Sequence, residues 1–362
     1  MYLRIVKSEI MITKIIDGEK IQSVHKKIEE SADIVIVTHL SPDGDAIGSS
    51  LAFFHFLKFL EKKVTVIVPN VIPDFLNWMP GIRQIINHQE QPAFAEGVIA
   101  GTDLLFALDF NTLSRVGNLA AAVGDSPAYK ILIDHHPSPG SFANLVISYP
   151  QISSTSEMIF RLICRMGYFT DINKECAECI YTGMMTDTGA FTYNSNSPEI
   201  YFIVCELIKK GVNKDKIYSK VYNNFTADRF RLMGYALNEK MKIYPEYGTA
   251  LIFLTLGELN RFHYKTGDTE GFVNIPLSIE NIIFSVFVKE DTDKIKISFR
   301  SRGSFSVNQF SSNHFGGGGH LNAAGGESFA SMTETIEKFE SLLPQYRDML
   351  AAEMETQKEE IK

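Results

Sequence analysis

The first half of the chain alternates short apolar runs with longer segments of helical period. Ile34-Val35-Ile36-Val37, Leu104-Leu105-Phe106-Ala107-Leu108 and Ile131-Leu132-Ile133 contain no polar residue. Unbroken runs of that length suit parallel strands buried on both faces. They predict strands over 33–38, 103–108 and 129–133, a further one over 64–68 stopped by Pro69, and a fifth over 143–148. Between them, 44–60 reads as a helix with Ile47, Leu51, Phe54 and Phe56 or Leu57 on its inner side, and 113–123 as a helix closed by Gly124. Residues 73–97, which carry the only tryptophan, Trp78, read as short helices and loops. A βαβα alternation of this kind implies an α/β domain with a doubly wound, mainly parallel sheet.

Further along, Ser154 and Glu157 have capping-box spacing and open a helix through Arg165. Helices follow at 174–186, 198–210 and 213–224, and 227–242 reads as a connecting helix. Beyond it the period changes from helical to alternating. Residues 249–255, 281–289 and 294–301 read as strands, and 331–351 as a final helix. The predicted organisation is therefore a larger α/β domain over 1–225, a connecting helix over 226–246, a smaller α+β domain over 247–350, and a charged, frayed tail over 351–362.

Composition narrows the partners. The chain has 362 residues, 45% of them hydrophobic and 22% charged, with 35 basic against 43 acidic side chains and a net charge of -8. Proteins that grip long nucleic acid usually present a basic face, because phosphate neutralisation supplies much of the affinity. An acidic chain favours a small anionic ligand over a long duplex. No stretch is long and apolar enough to cross a membrane, and the start, with Arg4, Lys7, Glu9 and Lys14, lacks a signal-peptide core. Cys176 and Cys179 have C-x-x-C spacing, but zinc would need a second pair of ligands, so they read as reduced cysteines on a helix face. A cytoplasmic location fits.

The chemistry lies where the strands end. His39, Asp43 and Asp45 follow the first strand, Asp109 follows 104–108, and Asp134-His135-His136 follows 131–133. In open α/β sheets, function gathers at the carboxyl ends of the strands. With Asp187 of Thr186-Asp187-Thr188-Gly189, six candidate metal ligands result: His39, Asp43, Asp45, Asp109, His135 and Asp187. Two carboxylates about 4 Å apart cost roughly 4 kcal/mol at an effective dielectric of 20, so cations belong among them. Any one cluster could be a turn or a helix cap. Their recurrence at three strand ends, with histidines at 39, 135 and 136, is not explained by turn chemistry. The mixed N/O set suits Mn²⁺, Mg²⁺ or Co²⁺ better than a thiolate metal. Six side chains suit two metals sharing a carboxylate, which can activate a hydroxide for attack on phosphorus.

The second domain adds an anion-binding candidate. Gly316 to Gly319 followed by His320 can present backbone N–H groups as a nest, and Arg300, Ser301 and Arg302 lie just upstream. Arg300 could hold phosphate bidentately. Arg115 is a second candidate phosphate contact, with pairing to a nearby acid as the alternative, and Phe310 and Phe315 read as core before base-stacking residues.

In these segments the chain resembles the DHH phosphoesterase superfamily, in the subgroup with the DHH-associated C-terminal domain, DHHA1. The segments are Thr38-His39-Leu40-Ser41-Pro42-Asp43-Gly44-Asp45-Ala46-Ile47-Gly48-Ser49, Leu108-Asp109, Asp134-His135-His136-Pro137 and Thr186-Asp187-Thr188-Gly189. Ser298-Phe299-Arg300-Ser301, Phe315-Gly316-Gly317-Gly318-Gly319-His320 and Asn322-Ala323-Ala324-Gly325-Gly326 complete them. The resemblance implies one metal on His39, Asp43 and Asp109, a second on Asp45, Asp109, His135 and Asp187, and Asp109 as the bridge. It also implies that His136 faces the substrate phosphate, that Asp134 orients an imidazole, and that the active site lies in a cleft between the two domains. Arg115, Arg300, Ser301, Gly317, Gly318, Gly319 and His320 would bind substrate.

The function implied is a metal-dependent, Mn²⁺-favouring hydrolase of short oligoribonucleotides or dinucleotides, extending to 3′-phosphoadenosine 5′-phosphate. The alternatives are an exopolyphosphatase or inorganic pyrophosphatase with the same metal centre, and a non-catalytic nucleotide-binding module. No membrane partner is expected, and a homodimer is compatible with the reading.

Overall fold

The apolar runs form the strands of a sheet whose two faces are both covered. The computed structural model describes residues 14–360, and the chain divides into two units between Asn224 and Phe225. The first unit runs α1 (Gly18–Glu30), β1 (Asp33–Val37), α2 (Gly44–Phe59), β2 (Lys63–Val68), β3 (Ile86–Asn87), α3 (Pro92–Ala100) and β4 (Leu104–Leu108). It continues through α4 (Ala120–Asp125), β5 (Tyr129–Asp134), β6 (Leu145–Ser148), α5 (Thr155–Arg165), α6 (Lys174–Asp187), α7 (Pro198–Lys209) and α8 (Lys214–Tyr222). All pairings are parallel, in the order β3-β2-β1-β4-β5-β6. The strand order reverses between β1 and β4, the point at which doubly wound sheets open a crevice for ligands.

Each strand sends alternate residues to separate cores. Ile34, Ile36, Leu104, Phe106 and Leu108 pack with α2, α5 and α6, while Val35, Val37, Leu105 and Ala107 pack with residues of α3 and α4. Helix α2 departs from the amphipathic expectation, since Phe53, Ala52 and the small Ser49 and Ser50 are buried along with its inner face. It is covered by the sheet on one side and by α6 on the other. Glycines make that approach possible: a Cβ on Gly48 would lie 2.8 Å from the Cys179 carbonyl oxygen and 2.9 Å from Gly183 Cα. Cys176 and Cys179 are buried on α6, where desolvation pushes both thiols above their ordinary range.

The second unit comprises α9 (Ala227–Glu239), β7 (Met241–Tyr244), β8 (Thr249–Leu254), α10 (Leu256–Arg261), β9 (Phe284–Glu290) and β10 (Ile295–Ser301). After these come α11 (Val307–Phe315), β11 (Gly318–Gly319), β12 (Ala323–Ser328), α12 (Met332–Leu342) and α13 (Arg347–Glu360). Its mixed sheet has the order β11-β12-β10-β9-β8-β7, with only β8 and β9 parallel. Phe284, Phe299, Phe310, Phe315 and Phe339 fill its core, so Phe310 and Phe315 are packing residues. The fold class is thus α/β for the first unit and α+β for the smaller second one.

Several elements differ from the sequence expectation: β3 and β12 were not expected as strands, the helix expected over 113–123 opens as a 3₁₀ turn over Leu113–Leu119, and the final helix expected over 331–351 is broken at Leu343–Tyr346. The connecting helix stops at Glu239, and Met241–Tyr244 becomes the edge strand β7. Residues 318–319, expected as loop, form a strand paired with β12. The segment expected as a frayed tail is helical as far as Glu360 and tied down. Glu353 is buried and accepts from the Ser304 N–H at 2.9 Å and its hydroxyl at 2.6 Å; residues 361–362 lie outside the described part. No described helix is long and apolar enough to cross a membrane.

Candidate metal centre

Strand ends, the start of α2 and the end of α6 deliver the acidic and imidazole side chains to one place. His39 follows β1, and Asp43 is the N-cap of α2, its carboxylate accepting from the Asp45 and Ala46 N–H groups at 3.0 Å each. Asp45 thereby sits in the first turn of α2, where negative charge is favoured. Asp109 follows β4 in a left-handed conformation, φ +65°, which aspartate tolerates better than most residues, and its N–H bonds the Ile133 carbonyl at 3.1 Å. Asp134 closes β5, His135 and His136 follow it, and Asp187 ends α6.

The side chains form two groups that share Asp109. His39 Nε2 lies 3.4 Å from Asp109 Oδ2 and 3.9 Å from Asp43 Oδ1. His135 Nε2 lies 3.3 Å from Asp187 Oδ2, 3.6 Å from Asp109 Oδ1 and 3.9 Å from Asp45 Oδ2. The two oxygens of Asp109 therefore face different groups. Within the sets His39–Asp43–Asp109 and Asp45–His135–Asp187, one donor atom from each residue falls within 4.8 Å of the others. His136 belongs to a further set with Asp109 and Asp134; its Nδ1 is 2.7 Å from Asp134 Oδ1, and Asp134 Oδ2 is buried without a hydrogen-bond partner.

This donor set fits divalent cations. His39 Nδ1 is 2.9 Å from the Leu40 carbonyl oxygen, and His135 Nδ1 is 3.2 Å from that of Ile152. A carbonyl only accepts, so both rings carry their proton on Nδ1 and, when neutral, turn the Nε2 lone pair toward carboxylate oxygens. Lone pairs facing carboxylates repel unless a proton or a cation lies between them. The electrostatics agree. Burial lowers His135, but the charges of Asp187, Asp109 and Asp45 overcome it and push it up to about 9. His39 is raised for the same reason, burial being outweighed by Asp109 and Asp43. Burial pushes Asp45 well above the carboxylate range, reinforced by Asp109 and Asp187, and raises Asp187 to about 6 against the pull of His135. Asp109 goes the other way: burial would raise it, yet the contact and charge of His39 hold it below its ordinary value.

The start of α5 contributes residues that the sequence reading overlooks. Asp45 accepts from the Thr155 N–H at 2.6 Å and the Ser156 N–H at 2.9 Å, and the Thr155 hydroxyl donates to Asp109 Oδ1 at 2.9 Å. The run Ser153-Ser154-Thr155-Ser156 was the available signal, but such a run also reads as ordinary capping. Ser154 does cap the helix, accepting from the Glu157 N–H at 3.0 Å, whereas the Glu157 carboxylate reaches Ser153 and Arg161.

The expected substrate contacts are placed less uniformly. Arg115 is in the first unit, in the turn Leu113–Leu119, where its carbonyl accepts from the Leu40 N–H at 2.7 Å and its charge bears on His39. The others are in the second unit: Arg300 and Ser301 end β10, Gly318 and Gly319 form β11, and Gly317 and His320 flank β11. Arg300 Nη1 donates to the Phe299 carbonyl, and the buried Ser301 hydroxyl donates to that of Phe305 at 2.6 Å. The glycines answer to packing more than to an open nest. A Cβ on Gly317 would fall 1.8 Å from the Gly325 carbonyl oxygen. The N–H groups of Gly317, Gly319 and His320 already bond Ser311, Asn308 and Ala323. Gly318 pairs with Gly325 across the strands.

Comparison with known proteins agrees with this geometry. Residues 33–184 match the DHH family N-terminal domain and residues 248–350 the DHHA1 domain. The chain is 32% identical to the bifunctional oligoribonuclease and PAP phosphatase of Thermus thermophilus, over 81% of its own length and 83% of the relative's. With the Bacillus subtilis protein of the same name it shares 24% identity, over 82% and 90%. A crystal structure of an exopolyphosphatase-related protein from Bacteroides fragilis is 55% identical, covers 94% of this chain and 100% of that one, and superposes with a TM-score of 0.89. Domain order, motif geometry and overall similarity together show that the chain belongs to the DHH family, in its DHHA1-bearing, oligoribonuclease-like branch.

Proposed function

We propose that the chain is a two-cation phosphoesterase that hydrolyses short oligoribonucleotides or dinucleotides and removes the 3′-phosphate of 3′-phosphoadenosine 5′-phosphate. The observation that carries this reading is the division of Asp109, one oxygen toward His39 and the other toward His135. His39, Asp43 and Asp109 would hold one ion, and Asp45, Asp109, His135 and Asp187 the other, with Mn²⁺ the favoured metal for this N/O set. Such ions, when bound, supply Lewis acidity that ionises water near neutral pH and offsets phosphoryl charge. The protein's own part is orientation and proton handling. Asp134 fixes the His136 ring through Nδ1, so that Nε2 exchanges the proton at a phosphate or leaving oxygen. Arg115, with Arg300 and His320 of the second unit, is proposed to bind substrate phosphate, while Ser301 and Gly317 to Gly319 shape the strands that carry them. The oligoribonuclease and PAP phosphatase relatives support this substrate class, the net charge of -8 supports a small ligand over a long duplex, and the free cysteines support a cytoplasmic setting.

The name of the Bacteroides fragilis structure keeps polyphosphate in view as the second substrate reading. Parallel assays with Mn²⁺ on pApA, 3′-phosphoadenosine 5′-phosphate, pyrophosphate and polyphosphate separate the two. Release of AMP from the first two substrates is expected. Turnover confined to pyrophosphate or polyphosphate would replace the proposal.

A further inference from the structure

Helix α5 begins with a side-chain contact that helix formation does not require. A helix start needs one capping side chain, and Ser154 provides it, accepting from the Glu157 N–H at 3.0 Å. Thr155, fully buried, sends its hydroxyl across the site to Asp109 Oδ1 at 2.9 Å, while its own N–H is 2.6 Å from Asp45 Oδ2. It thus touches both Asp45 and Asp109. The surrounding segment is held firmly: Glu157 accepts from the Ser153 N–H at 3.1 Å and from Arg161 Nε at 2.8 Å, and the Ile152 carbonyl meets His135 Nδ1 at 3.2 Å.

The hydroxyl matters because of how Asp109 is used. Its Oδ2 is 3.4 Å from His39 Nε2, and its Oδ1 is 3.6 Å from His135 Nε2. A carboxylate can rotate about its Cβ–Cγ bond, and terminal torsions of this sort are broad and weakly restrained. Rotation would turn both oxygens toward one group and leave the other short of a donor. A hydrogen bond to Oδ1 from a buried, helix-anchored hydroxyl opposes that rotation. We propose that Thr155 is a positioning residue that keeps Asp109 a ligand shared between the two ion positions, and so sets occupancy of the second position.

The inference rests on the two-cation reading, and the test separates the two. Mn²⁺ is titrated into the full chain, followed by calorimetry and electron paramagnetic resonance, for the native protein, Thr155→Val and Thr155→Ser. Valine keeps the volume and the backbone N–H but lacks the hydroxyl; serine restores the hydroxyl. The native chain is expected to bind two ions with spin coupling between them. Thr155→Val should retain its tighter site while the weaker one loses about 10–100-fold in affinity, the usual cost of removing an outer contact to a metal ligand. Coupling should disappear at metal levels that saturate the native protein. Thr155→Ser should recover both sites, and at saturating metal Thr155→Val should show a lowered kcat with KM for pApA unchanged. Thr155→Ala carries the same expectation if the valine variant does not fold. Native-like binding of both ions by Thr155→Val or Thr155→Ala would overturn the positioning role while leaving the two-cation reading intact. A native chain that binds one ion or none would overturn both.

Discussion

At the scale of single residues, the centre is a competition between protons and cations for the same spaces. His135 is pushed up to about 9 from an ordinary 6.5, and Asp187 to about 6 from 3.8. A raised folded-state value means that the folded chain holds a proton that the unfolded chain has released. For His135 the associated stability is complete below about 6.5 and is lost as pH climbs through about 9. For Asp187 the folded chain is increasingly penalised between 3.8 and about 6. Both effects share a sign, and with the Asp187 penalty complete near pH 6 it is His135 that should make the chelator-treated protein melt at progressively lower temperature from about pH 6.5 to pH 9. Added Mn²⁺ should reverse the trend, with a stabilisation that grows with pH because each ion displaces a proton. Thermal scans at several pH values with and without chelator check this. A metal-induced shift independent of pH would contradict it.

The candidate ligand residues were legible because all but Asp187, which ends α6, follow an apolar strand run or start a helix, places where the chain direction fixes where a side chain goes. Thr155 and Ser156 were not legible, since a hydroxyl run at a helix start reads as local capping, which hides the N–H contacts to Asp45 more than a hundred positions away and the Thr155 hydroxyl contact to Asp109. The glycines at 317–319 are ambiguous in sequence for a related reason. Close approach of Gly317 to the Gly325 carbonyl and an anion nest demand the same residue, and only the three-dimensional pairing tells them apart.

Among the elements, the contact between α2 and α6 decides whether the centre can assemble. A Cβ on Gly183 would lie 1.9 Å from Ser156 Oγ and 2.7 Å from Asp45 Oδ1. Gly183→Ala should therefore cost about 1–3 kcal/mol through overpacking and should also weaken metal binding, because the intruding methyl group displaces Asp45. Denaturant melts paired with Mn²⁺ titration test it; full metal affinity in a stable variant would show that the helices can separate without moving Asp45. The terminal helix α13 is the second case. Its charged composition suggested a frayed tail, but Glu353 satisfies the Ser304 N–H and hydroxyl in a buried position. Charge composition could not reveal that one of its glutamates is buried. Glu353→Ala should lower unfolding free energy by roughly 1.5–3 kcal/mol, the scale of hydrogen bonds to a charged group, and unchanged stability in urea would refute that role.

At the level of the whole molecule, each unit has its own sheet and its own core, and all eight acidic and imidazole residues of the centre belong to the first unit. The parallel, doubly wound character of that unit's sheet was readable from the βαβα alternation, while its strand order was not, and neither were β7, β11 and β12, being short, glycine-rich or at an edge. If the second unit supplies substrate grip through His320, His320→Ala should raise KM for pApA by about 10–100-fold, the scale of one charge-assisted hydrogen bond. It should spare bis-(p-nitrophenyl) phosphate, which offers little to grip. Equal losses on both substrates would remove His320 from that role.

The central claim is that two divalent ions share Asp109. Anomalous diffraction from crystals grown with Mn²⁺ tests it most directly. Two peaks roughly 3.5–4 Å apart are expected, the spacing of two-metal sites. One should contact His39, Asp43 and Asp109 Oδ2, and the other Asp45, His135, Asp187 and Asp109 Oδ1. A single peak, or two peaks that do not share Asp109, would contradict it.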